Sequence, residues 1–196
     1  MRWKYRESEL RAFILDTTLK LFSERGIKFT MDDLAKEMGI SKKTIYRVFP
    51  DKKTMYYKMV DYFFDKIKDE EAEILKDTTL TTVQKIRKIL GAMPKEYADI
   101  DFSSLYIVKT KFPRSYERIV ERLESGWDNT IYLINQGVKE GVVRPINVVV
   151  VKAMLTSTIE QFFQNSILVQ NGVSYPEALN GVVDIICNGI IEPEAR

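Results

Sequence analysis

The sequence predicts an all-α protein, a three-helix N-terminal module followed by a larger helical bundle, with about nine helices in all. Three observations lead there. Apolar residues recur at three- and four-residue spacing along nearly the whole chain. Hydroxyl and acidic N-caps, with glycine or proline stops, punctuate that periodicity. Charge is also divided: residues 1–60 hold 14 Lys+Arg against 8 Asp+Glu, and residues 61–196 hold 16 against 20. A basic first third on a mildly acidic body is the asymmetry of a module that faces a polyanion joined to a domain that does not. The boundary is expected after Asp51, giving a domain of residues 1–51 and another of 52–196.

Trp3, Lys4, Tyr5 and Arg6 form a short basic arm, either frayed or laid along a phosphate backbone. The first helix runs from about Glu7 to Arg25, with Leu10, Phe13, Ile14, Thr17 and Leu21 as its inward stripe, and Gly26 stops it. Thr30 with Asp33 three residues on approaches a capping box, opening a helix that holds Leu34, Ala35 and Met38 and ends at Gly39. Ser41 caps a further helix in which Ile45 and Phe49 share a face until Pro50 forbids continuation. Two short helices about a glycine turn make a helix-turn-helix. The other faces of its second helix carry Lys42, Lys43, Thr44, Tyr46 and Arg47, cations and hydroxyls suited to phosphates and base edges.

The run from Thr30 to Lys52 resembles the tetracycline-repressor (TetR) family of bacterial transcription regulators. Thr30, Leu34, Ala35, Gly39, Ile40, Ser41, Thr44, Ile45, Tyr46, Phe49 and Lys52 stand in the register of that family's pattern, which is approximately T-x-x-x-[IL]-A-x-x-x-G-[VI]-S-x-x-[TL]-[LI]-Y-x-[HY]-F-x-x-K. Val48 departs from it, standing where the family often has a histidine or tyrosine near the DNA backbone. The resemblance implies a double-stranded operator as partner, with Thr30, Ser41, Lys42, Lys43, Thr44, Tyr46, Arg47 and Lys52 at the DNA. It also implies Lys52 as a phosphate contact, repression by blocking polymerase, and release by a small-molecule effector bound in the C-terminal domain.

Asp51 caps a long fourth helix reaching about Lys76, whose apolar positions include Met55, Met59, Tyr62, Phe63 and Ile67. Lys52 and Lys53 in its first turn oppose the helix dipole unless an anion meets them. Asp69, Glu70, Glu71 and Glu73 read as its solvated face. Val83, Ile86, Ile89, Leu90 and Met93 define a fifth helix, bent at Pro94 and extended through Tyr97, and Phe102, Leu105, Tyr106 and Val108 define a short sixth. From Ile119 through Trp127, Ile131 and Ile134 to Val138 the near-3.5 spacing predicts one long seventh helix ending at Gly141. Pro145–Val151 has strand propensity, yet Asn147 is a good N-cap and the periodicity continues through Met154, Ile159 and Phe163, so a helix is expected to about Gln170. Ser174 and Glu177 open the last helix, with Leu179, Val182, Val183, Ile186 and Ile190.

The final two helices are apolar on more than one face, and Gly181 and Gly189 permit close approach. A homodimer surface is the expected use. A single recognition helix covers few base pairs, which asks for the same symmetry. The aromatic-rich body is expected to hold the effector pocket, with Tyr97, Phe102, Tyr106, Phe112, Trp127, Phe162 and Phe163 as its candidate lining. Catalysis, metal and cofactor are not expected: the chain has no histidine, no glycine-rich phosphate loop, and a single cysteine, Cys187, in an apolar setting. No apolar run approaches membrane-spanning length, the N-terminus is charged, and a cytoplasmic protein is expected. Two other readings remain open on sequence: an all-α small-molecule binder without operator binding, and an architectural DNA binder of the same fold without an effector.

Overall fold

A computed structural model describes residues 6–94, 97, 105–164 and 166–193. Among the described residues the named elements are α-helices and a 3-10 turn at Gly26–Lys28, with an isolated antiparallel bridge between Val143 and Ile191. In the module, α1 (Glu7–Arg25), α2 (Met31–Met38) and α3 (Lys42–Val48) pack on one another around Ile14, Leu34, Ile45 and Phe49, none of them measurably exposed. Leu10, Thr17 and Leu21 are buried as the α1 stripe requires, whereas Phe13 is turned outward, because Leu15, Leu19 and Phe22 bury a second face of α1. That second face lies toward α4 (Lys52–Lys76), which carries Met55, Tyr56, Met59 and Val60 inward.

The body comprises α5 (Thr82–Leu90), α6 (Tyr106–Lys111), α7 (Pro113–Glu124), α8 (Asp128–Lys139), α9 (Val148–Gln164), α10 (Ile167–Asn171) and α11 (Tyr175–Ile190). Helix α4 packs most extensively on α7, α5 on α8, and α11 on both α5 and α9. The α4–α7 seam is pinned by ion pairs, Arg118 Nε to Asp61 at 2.6 Å and Arg122 to Asp65 at 2.7 Å.

The element expectations are corrected in three places. The fifth helix stops at Leu90, with Gly91 at its C-cap, and does not continue to Pro94. The long seventh helix is two, because the chain breaks at Ser125 and Gly126 and the latter adopts φ +74°, a left-handed conformation that glycine enters without a Cβ penalty. The break re-phases the downstream turns, so Thr130, Leu133, Ile134 and Gly137 face inward on α8 and Ile131 faces out. The helix capped at Asn147 ends at Gln164, and α10 is a separate element closed by Gly172. The Asn147 cap itself is present: its side-chain oxygen accepts from the Val149 amide at 3.0 Å. Trp3, Lys4 and Tyr5 of the basic arm, and Phe102, lie outside the described residues.

Candidate nucleic-acid interface and body cavity

A reciprocal cap on α2 and a one-way cap on α3 fix the outer edge of the module. The Thr30 hydroxyl accepts from the Asp33 amide at 3.1 Å while the Thr30 amide donates to the Asp33 carboxylate at 2.7 Å. Those bonds from Thr30 hold the Asp33 carboxyl below the usual carboxylate range. Helix α3 starts on Ser41, whose hydroxyl accepts from the Thr44 amide at 3.2 Å. Thr44, Ile45 and Val48 point into the module, so the helix presents Lys42, Lys43, Tyr46 and Arg47 to solvent. Tyr46 is 44% exposed. Lys42 is paired with Asp32 at 2.9 Å, and the hydrogen bond to that carboxylate pushes its ammonium pKa upward.

Two expected contact residues sit differently. Thr44 is buried, and its hydroxyl is within 3.0 Å of the Ser41 hydroxyl, so it serves the cap and not the outer face. The Lys52 ammonium folds back into the module, donating to the Ile27 carbonyl at 3.1 Å and to the Phe29 carbonyl. It also lies 4.3 Å from the Phe29 ring centroid, and burial lowers its pKa. The opposition between Lys52 and the α4 dipole is relieved internally, by carbonyl oxygens at the end of the 3-10 turn, with Asp51 capping the helix through the Thr54 amide at 2.7 Å.

A partly open cavity of about 140 Å³ lies between α1, α4, α5, α7, α8, α9 and α11. Of the aromatic candidates, Trp127 and Phe163 line it. Phe112 instead stacks on Tyr56 at 4.3 Å, beneath the module, and Phe162 meets Tyr175 edge-on. Tyr106 is half-buried away from the cavity, and the Tyr97 hydroxyl donates to Asp16 of α1, which also accepts from Tyr62 at 3.0 Å. Burial, then the Asp16 carboxylate, pushes the Tyr97 phenol well above its ordinary pKa. Among the described residues the other lining rings are Phe22, Phe63, Phe64 and Tyr175. A spacing argument assigns Phe63 to a core stripe and does not separate stripe from cavity wall.

Glu71 is a further correction. It belongs to no solvated face but is 5% exposed at the cavity wall, receiving Lys68 at 2.6 Å and the Asn129 amide at 3.3 Å. Among the described residues no group of three or more His, Cys, Asp or Glu side chains is arranged to hold a metal ion, and no helix is long and apolar enough to cross a membrane.

Residues 14–57, from within α1 to the second turn of α4, match the profile of bacterial regulatory proteins, tetR family. Those residues carry the DNA-binding region of the TetR family. The chain is 25% identical over 181 residues, 92% of this chain and 95% of the relative, to the uncharacterized HTH-type transcriptional regulator YvaF of Bacillus subtilis. The fold is shared with a crystallised transcriptional regulator from Saccharomonospora viridis in complex with choline (TM-score 0.69, 21% identity, 94% of this chain and 99% of that one). It is also shared with the regulator FadR of Bacillus subtilis in complex with stearoyl-CoA (TM-score 0.59, 18% identity, 91% and 98%). The helix-turn-helix of that TetR-type segment is α2 and α3, and the chain is similar along most of its length to an HTH-type transcriptional regulator.

Proposed function

We propose that this TetR-family protein is a repressor that binds its operator as a homodimer and leaves it when a small molecule fills the body cavity. The observation that carries the reading is the division of α3. Its inner face is fixed by Thr44, Ile45 and Val48, and its outer face offers two lysines, a tyrosine and an arginine on a rigid support. In this reading Lys42, Lys43, Tyr46 and Arg47 meet the DNA, Thr30 and Ser41 hold the helix ends that approach the backbone, and Thr44 and Lys52 position the module from within. Residues 1–51 act as the reading domain and 52–196 as the ligand and dimer domain.

The dimer is supported by an apolar strip on α9 and α11. Val149, Val150 and Met154 are 73%, 53% and 52% exposed, and Ile185 is 72% exposed beside Gly181 and Gly189, whose absent Cβ positions meet nothing within 4 Å. Effector release is supported by the cavity and by the Asp16 link from α1 to Tyr97 in the body. Choline and stearoyl-CoA in the two neighbours of this fold agree with a ligand-holding body. Binding to promoter DNA from the neighbouring genes, followed by fluorescence anisotropy across a salt series, tests the reading. Each phosphate contact adds about 0.9 to the logarithmic salt slope. Lys43→Ala should therefore lower affinity and flatten the slope by about that amount, while Tyr46→Ala should lower affinity with the slope nearly kept. Wild-type affinity in both variants would reject α3 as the reading helix.

A further inference from the structure

We propose that the body cavity selects an organic cation, an ammonium head on an apolar tail, whose head takes the place of Lys68 on Glu71. The proposal rests on the effector role of the cavity. A carboxylate buried among Trp127, Phe63, Phe64 and aliphatic side chains is costly unless a cation accompanies it. Lys68 supplies that cation from the rim, bonded to Glu71 and to the Gly126 carbonyl. It lies across the gap that Gly126 leaves, with Cε 2.7 Å from where a Cβ would stand.

The two partners are unequally held. The Lys68 side chain is 35% exposed and the Glu71 side chain 6%, so the amine can move into water and the carboxylate cannot. Exchanging one ammonium for another preserves the ion pair and adds the apolar contacts of the tail. An anionic head would face Glu71, and the nearby guanidinium of Arg122 is already neutralised by Asp65 and Asp61 at 2.7 and 3.8 Å. A neutral head gains nothing from the carboxylate. Trp127 and Phe63 line the same cavity, and an aromatic ring attracts a cation placed over its face. One water needs roughly 10–15 Å³ of such space, so the cavity has room for about ten, the size of a ligand with on the order of ten non-hydrogen atoms.

Calorimetry on the full-length protein with octylammonium, octanol and octanoate separates head from tail. Octylammonium should bind at least about tenfold more tightly than the other two, since one buried charge pair is worth that much discrimination. Glu71→Gln should bring octylammonium down to the affinity of octanol. Lys68→Gln, which removes the internal competitor, should tighten octylammonium binding. Octanoate binding as tightly as octylammonium, no binding of any of the three, unaltered discrimination in Glu71→Gln, or weakened cation binding in Lys68→Gln would each overturn the proposal. A parallel operator titration keeps the two readings apart: failure to bind operator rejects the repressor assignment and leaves the ranking of the three probes standing, while a lost ranking with intact operator binding rejects only the cation.

Discussion

Lys43 and Lys52 are the same residue type nine positions apart on opposite sides of Pro50, and their surroundings give them different work. Lys43 stands in solvent on α3, whereas the Lys52 ammonium is tied to the carbonyls of Ile27 and Phe29. Lys52→Met should destabilise the module by about 1–3 kcal/mol in urea melts, the cost of leaving buried carbonyls without their donor. Once folded, it should leave the salt slope of operator binding as it was, in contrast to Lys43→Ala. Cys187 allows a second test. It is fully buried, and burial pushes its thiol up to about 11 from an ordinary 9.0. A thiol whose pKa is higher folded than unfolded contributes stability in full below pH 9 and loses it as pH climbs toward 11. The native protein should resist alkylation at pH 8 and react once denatured; rapid labelling of the native state would contradict the burial. Sequence identified the inert thiol, because an apolar periodicity surrounds Cys187. It did not reveal the inward turn of Lys52, which depends on where residues 27 and 29 place their carbonyls after the 3-10 turn.

At the scale of elements, the caps were legible and the breaks in the body were not. Thr30, Ser41, Asp51, Asn147 and Ser174 each cap the helix expected of them, since an N-cap is a local hydrogen bond written within four residues. The separation of α7 from α8 turns on one positive-φ glycine, and an apolar spacing near 3.5 runs through it without a mark. The same locality explains why the module was read to within a residue at most of its ends while only Trp127 and Phe163 of the expected lining reach the cavity: a wall assembled from seven helices is a long-range object. Gly137 tests the packing of α8 on α5. A Cβ there would stand 2.6 Å from Val143 Cγ2 and 3.3 Å from Ile86 Cδ1. Gly137→Ala should cost about 1–3 kcal/mol by overpacking, despite the gain in helix propensity, and thermal unfolding reads it.

For the whole molecule, the proposed dimer rests on the exposed strip formed by Val150 and Met154 on α9 with Ile185 on α11. A charge at its centre should separate the protomers, so Ile185→Asp is expected to sediment as a monomer and to bind a two-half-site operator at least tenfold more weakly, with its helicity unchanged. A dimer that survives this substitution would move the interface elsewhere. The continuous course of α4 carries a consequence of its own. Lys68, at the cavity, and Lys52, at the foot of the module, are sixteen residues apart on one unbroken helix, about 24 Å at 1.5 Å per residue. Tilting such a rod by some 5° displaces its far end by roughly 2 Å. A donor and acceptor part company over a few tenths of an ångström beyond 3.2 Å. Under the proposed release mechanism, a tilt of that size started at the cavity exceeds what hydrogen bonds to base edges tolerate at the groove, so a small adjustment among the aromatic rings would be enough to end DNA reading.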